Sequence, residues 1–371
     1  MTDDITNDLN TARQLYMNKD YEDSLSLYEK SFSRSPDEFT KTHRTFYAWA
    51  IYQCRIKRFK SDDEFYSSAL LITELVDQQD LSKAKACPYT FAVFRVFDRL
   101  AAENDYYTLT CWLDRIDPEL LDETRVSYDN VTYRSRREKF YDISSKTYLR
   151  CMDYEKCIEI SSEALETLTE FTNYSDTWHR WRIAKSLRQI GRPDEALGYL
   201  KEVIGVKRNW FIHREIAENL IMLQRRDEAI DNLCEAVLTD EPAKLKANLY
   251  KLIYDVLKNT DPETAEKHLR LHRLLRDGES DDGLLGEIEA YWRDFKFRDM
   301  ELHHGTITRY FDDKNYGFIT TPDNRSVFFH RDDFNGEDIN TGKYVSYYLE
   351  DTFNRSKGEK SIKAVCINEV I

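Results

Sequence analysis

Two short runs towards the C-terminal end, Tyr316-Gly317-Phe318 and Val327-Phe328-Phe329-His330, set aromatic rings at alternate positions. Successive side chains of a β-strand point to opposite faces, so Tyr316 and Phe318 share one surface, as do Phe328 and His330 on the next strand. Rings displayed together as a flat platform can stack unpaired bases with little sequence preference. Lys314 is placed to meet a phosphate, and Gly317 is expected to let a base or the backbone approach between the rings. Bond-making chemistry has no comparable signal: G-x-x-x-x-G-K-[ST], G-x-G-x-x-G, H-E-x-x-H and G-x-S-x-G are all absent. The pair His303-His304 has no cysteine cluster beside it, and His268 with His272, one turn apart, has no third ligand in view and is expected on a polar helix face. The chain is therefore expected to be non-enzymatic, with no metal and no cofactor.

The elements that must position those rings begin past Met300, where the sequence breaks into short alternating runs separated by turns. Strands are predicted over 305–310, 316–320, 327–330, 344–350 and 362–370, a spacing that suits a five-stranded barrel of the oligonucleotide-binding type. Lys314-Asn315-Tyr316-Gly317-Phe318-Ile319 resembles the first ribonucleoprotein motif of cold-shock domains, and Val327-Phe328-Phe329-His330 resembles the second. Both follow a Gly305-Thr306-Ile307-Thr308-Arg309-Tyr310 first strand. The resemblance implies nucleic-acid contacts by Arg309, Tyr310, Lys314, Tyr316, Phe318, Phe328, His330 and Arg331. Two positions depart from the family: Arg309 stands where the first strand usually carries tryptophan, and Arg331 where an aromatic follows the histidine. A guanidinium can stack on a base and also neutralise a phosphate, so stacking is exchanged for charge. From Gly305 onward nine Lys/Arg face eleven Asp/Glu, a formal net of −2. Stacking must therefore carry most of the affinity.

The preceding residues repeat themselves. Leu15, Tyr21, Ser24, Tyr28, Ser31 and Pro36 have the spacing of a tetratricopeptide repeat, and the frame returns at Ser145 to Ala164, Ala184 to Val203 and Ala217 to Ala236. Looser pairs fill 41–77, 88–116 and 243–276. The resemblance to tetratricopeptide repeats covers about residues 5–276 and implies about seven helical hairpins. A polar stretch at 277–283 leads to one more amphipathic helix bearing Leu284, Leu285, Ile288, Tyr291, Trp292 and Phe295, suited to closing the last repeat. The domain expectation is a helical array at 1–276, linker and capping helix at 277–300 and a barrel at 301–371. The fold class expected is α+β multidomain, an all-α solenoid followed by a cold-shock-like barrel.

In such arrays the first helix of each hairpin lines the groove. Here first helices are basic and second helices acidic, and the resemblance carries groove roles to Arg13, Lys146, Arg150, Trp181, Lys185, Arg188 and Arg214, fit for an acidic protein or peptide. The formal net charge of −14 opposes coating duplex DNA or an anionic membrane. No run of about 18 apolar residues occurs, and the seven scattered cysteines form no C-x-x-C pair, the pattern of a reducing cytoplasm. The reading is a cytoplasmic protein that binds single-stranded RNA or DNA, RNA above all, through its barrel and a protein partner through its helices. The alternative is a protein–protein adaptor whose barrel docks a partner subunit, for instance as an accessory or sensor subunit of a bacterial stress or phage-defence system.

Overall fold

A computed structural model of the chain describes residues 2–129, 131–336, 338–354 and 359–370. They form two compact units, Met1–Lys207 and Arg208–Ile371. Fifteen α-helices, tetratricopeptide-like hairpins and a closing helix, precede a closed five-stranded barrel among the described residues.

The first unit contains five hairpins: α1 (Thr2–Met17) with α2 (Tyr21–Arg34), α3 (Lys41–Ile51) with α4 (Asp62–Leu75), α5 (Pro88–Glu103) with α6 (Tyr106–Leu113), α7 (Arg136–Arg150) with α8 (Tyr154–Thr167), and α9 (Ser175–Gln189) with α10 (Pro193–Val206). Small residues twelve positions apart let the paired helices touch. Ser24 donates its hydroxyl to the Ala12 carbonyl at 2.8 Å, and the Cys157 thiol donates to the Ser145 carbonyl at 3.3 Å. Ala184 and Ala196 occupy the same places in the fifth hairpin, and both are fully buried. A larger side chain at any of these points would push the helices apart. Asp and Ser residues cap the helix starts, as where Ser135 accepts from the Glu138 amide and Asp153 from the Lys156 amide.

Between α6 and α7 a short antiparallel ribbon, β1 (Val126–Tyr128) with β2 (Val131–Tyr133), was not anticipated. Its signal is the alternation Val-Ser-Tyr and Val-Thr-Tyr, which the helical periodicity on either side obscures. Glu138 of α7 is buried and held by three donors: the Thr172 amide and hydroxyl at 2.7 and 2.9 Å and the Ser175 hydroxyl at 2.6 Å. A buried carboxylate so satisfied fixes the loop ahead of α9.

The second unit begins with α11 (Trp210–Met222) and α12 (Arg226–Val237), then α13 (Ala247–Leu257) and α14 (Pro262–Asp277). Lys246 is buried and donates from Nζ to the Val237 carbonyl at 2.9 Å and also to the Thr239 carbonyl, serving the orphan acceptors at the end of α12. The closing helix α15 (Asp282–Phe297) buries Leu284, Ile288, Trp292 and Phe297. Trp292 donates to His268 at 2.8 Å, and the His268 Nδ1 lies 2.7 Å from the Thr264 carbonyl. His268 is thus a buried core residue and His272 contacts the Ala247 carbonyl, which corrects the expectation of a polar face.

The barrel is built from β3 (His303–Phe311), β4 (Tyr316–Thr320), β5 (Ser326–His330), β6 (Tyr344–Asn354) and β7 (Glu359–Glu369), closed in the order β3-β4-β5-β7-β6. Ile307, Ile319, Phe329, Phe334, Val345, Tyr347, Ala364 and Ile367 fill it. α15 meets the barrel through Phe297, stacked on Tyr348 at 4.6 Å with the rings nearly parallel.

Candidate nucleic-acid interface

Alternation along β4 buries Gly317 and Ile319 and leaves Tyr316 and Phe318 half-buried on the outer face. On β5, Phe329 is buried and Phe328 faces outward. The register then aligns residues across three strands in two rows: Arg309, Phe318 and Phe328 in one, Phe311, Tyr316 and His330 in the other. Ring centroids lie 5.1 Å apart for Phe311 and Tyr316, 5.5 Å for Tyr316 and Phe328, and 6.0 Å for Phe318 and Phe328.

The rings do not form the flat platform expected. Tyr316 and Phe318 meet at 89°, and Phe318 and Phe328 at 70°. Aromatic quadrupoles favour edge-to-face contact, so four neighbouring rings settle as facets.

Phe311 belongs to this surface although the sequence reading stopped β3 at Tyr310. Two positions beyond Arg309 it occupies the same face, and it is 36% exposed. Tyr310, expected among the contacts, is partly buried, packs against the core and lies nearly parallel to Phe329 at 6.2 Å. The role given to Gly317 also changes. A Cβ there would stand 2.5 Å from the Phe329 ring and 2.6 Å from the Arg309 carbonyl, so the glycine admits a core ring and the neighbouring strand.

Arg309 and Lys314 are exposed, Lys314 in the tight turn between β3 and β4 beside Asp312 and Asp313. His330 places Nδ1 3.2 Å from Asp332 Oδ2 and donates its amide to Asp333, also at 3.2 Å. Asp333 in turn holds Lys363 at 3.0 Å. Arg331 donates to the Phe334 and Gly336 carbonyls at 3.3 and 3.0 Å, bracing the following loop.

Residues 303–366 match the family model described as the "'Cold-shock' DNA-binding domain". The barrel belongs to the cold-shock family. Membership points to nucleic-acid binding by this barrel. No curated protein matches the chain significantly. Among solved structures, the apo form of RapI is 14% identical with a TM-score of 0.41, covering 80% of this chain and 82% of that one. A tetratricopeptide repeat protein from Parabacteroides merdae is 12% identical with a TM-score of 0.37, covering 78% and 98%. Human IFIT1, solved as a dimer with PPP-AAAA, is 10% identical with a TM-score of 0.37, covering 76% and 62%. At these scores the likeness carries no argument about function.

In the helical hairpins much of the first-helix basic charge is compensated. Arg134 and Arg182 flank Asp142, Arg136 pairs with Asp122 at 2.8 Å, Arg137 with Glu119 and Glu123, and Lys139 with Asp98. Of the groove candidates, Lys146 and Arg150 come together over the Tyr106 ring at 6.0 and 5.9 Å, and Lys185 lies over Trp181 at 5.0 Å. Arg13 covers Phe46 at 5.0 Å. Arg188 is half-buried on α9. Arg214 lies in the second unit and pairs with Glu218 at 2.7 Å. Ser145 and His179, 3.4 Å apart, are both fully buried, and burial pushes the imidazole down to about 3. Among the described residues no helix is long and apolar enough to cross a membrane, and no group of three or more His, Cys, Asp or Glu could hold a metal ion.

Proposed function

We propose that this protein binds single-stranded RNA on the outer face of the cold-shock barrel and engages an acidic protein segment with Lys146, Arg150 and Lys185 of its helical hairpins. The observation that carries the reading is the pair of rows that the β3-β4-β5 register aligns, with Phe311, Tyr316, Phe318 and Phe328 as stacking facets and Arg309 at the end of one row. RNA is favoured because its loops and ends present unpaired bases, the form a stacking surface requires. The domain's net of −2 leaves little long-range attraction, so recognition depends on contact with bases.

The test is fluorescence anisotropy of the full chain with a short unstructured RNA, the matching DNA and a duplex of the same sequence. Binding to single strands and not to duplex supports the reading, and preference for RNA supports its finer part. Absence of any single-strand binding favours the adaptor alternative.

A further inference from the structure

The row containing Arg309, Phe318 and Phe328 does not end on β5. Phe328 is paired with Lys363 of β7, and Lys363 with Glu350 of β6, so one level of the barrel reads cation, ring, ring, cation, anion. Resting on the single-strand reading above, we propose that Lys363 is a phosphate contact of the bound strand, the counterpart of Arg309 at the far end of the row, and that Asp333 and Glu350 hold its strength down by competing for the ammonium.

Lys363 is partly exposed and stands next to the last stacking ring, where the backbone of a strand with bases on Phe318 and Phe328 must emerge. Its Nζ lies 3.0 Å from Asp333 and 3.6 Å from Glu350. The Glu350 carboxylate is shared, with Lys296 of α15 at 3.5 Å, and neither contact has full hydrogen-bond length. Lys296 has its own closer partner in Glu235 at 3.0 Å. The cleft beside this group, about 560 Å³, sets Arg293, Lys296 and Lys363 against six carboxylates, those of Asp240, Glu241, Glu289, Asp332, Asp333 and Glu350. Its negative balance repels a phosphate approaching from β5. The strand therefore gains little from the contact that the register supplies, and affinity is set below what the aromatic face allows.

Charge removal separates this idea from general electrostatics. Asp333→Asn with Glu350→Gln keeps the hydrogen-bond acceptors that serve the His330 amide and the neighbouring lysines while releasing Lys363. In titrations of the full chain with a fluorescent unstructured RNA, this pair should tighten binding about three- to tenfold and steepen the salt dependence by about 0.7 in log–log slope, one single-strand phosphate's share. Lys363→Ala alone should change affinity less than about twofold, because the clamp already masks the lysine. Added to the double variant, Lys363→Ala should cancel both the gain and the slope. A gain that survives Lys363→Ala, or no gain in a double variant whose melting temperature is unchanged, overturns the proposal while leaving the stacking face in place. If the native chain binds no single strand at all, the underlying reading fails and this one with it.

Discussion

Trp292 of the closing helix donates its indole N–H to Nε2 of His268, 2.8 Å away, and that histidine is fully buried between α13 and α15. The bond requires the neutral imidazole with its proton on Nδ1, facing the Thr264 carbonyl. Burial depresses His268 to about 4, against 6.5 for an unperturbed side chain.

A pH dependence of stability follows with a definite sign. Between about 4 and 6.5 the unfolded chain binds a proton that the native state refuses, so stability rises with pH through this window. The contribution is complete above 6.5 and is lost as pH falls towards 4, amounting to about 3 kcal/mol from the depression. Urea midpoints from pH 7 to 4 should fall more steeply for the native chain than for His268→Gln. Parallel slopes would show that His268 titrates normally.

The two faces of the barrel should separate binding from folding. Gly317→Ala drives a methyl group into the Phe329 ring and the β3 backbone and should cost about 1–3 kcal/mol of stability. Tyr310→Ala removes a ring stacked on the core and should also lower the melting temperature. Phe311→Ala and Phe328→Ala, on the outer face, should weaken RNA binding more than they lower the melting temperature.

Most of the architecture is legible because it rests on short-range periodicity. Ala12 with Ser24 and Ser145 with Cys157 announce helix crossings through size alone, and alternating rings announce strands. What escaped depends on register and tertiary partners. The bulge between Ile307 and Arg309 decides which side Tyr310 and Phe311 take, and no local pattern reveals it. Arg134, Arg136, Arg137 and Lys139 read as a basic surface because their acids, from Asp98 to Asp142, come from other segments or an adjacent turn. His268 reads as polar because its donor lies 24 residues away on α15.

The helical surface gives a narrower expectation than the basic composition did. Among the described residues Lys146, Arg150 and Lys185 touch aromatic rings and no carboxylate within ion-pair distance. Reversing all three to Glu should abolish retention of the chain on an immobilised acidic peptide and leave its circular dichroism and melting temperature unchanged, because exposed charges of this kind contribute little to folding. The same reversal at Arg136 and Arg137 should instead destabilise the fold, since each would face Asp122, Glu119 or Glu123. Equal retention of the Lys146, Arg150 and Lys185 variant would mean a solvated face.

The stacking face makes the most direct demand on measurement. Tyr316, Phe318 and Phe328 stand on adjacent strands with their rings inclined to one another, so each can receive one base and removing one ring should leave the others usable. Each single change to Ala should weaken binding of a short unstructured RNA by about 1–3 kcal/mol, the range for one base on one aromatic side chain. Changes to Phe328 and Tyr316 together should fall short of additivity, because their centroids are 5.5 Å apart and each orients the other. Arg309→Ala should weaken binding as well, but through charge: the salt dependence should flatten by about 0.7 in log–log slope, whereas the ring variants should leave it unchanged. Calorimetry across a salt series distinguishes the two. Equal binding by the native chain and a Tyr316→Ala, Phe328→Ala double variant would remove the stacking face from the mechanism and leave the barrel as a protein-docking module.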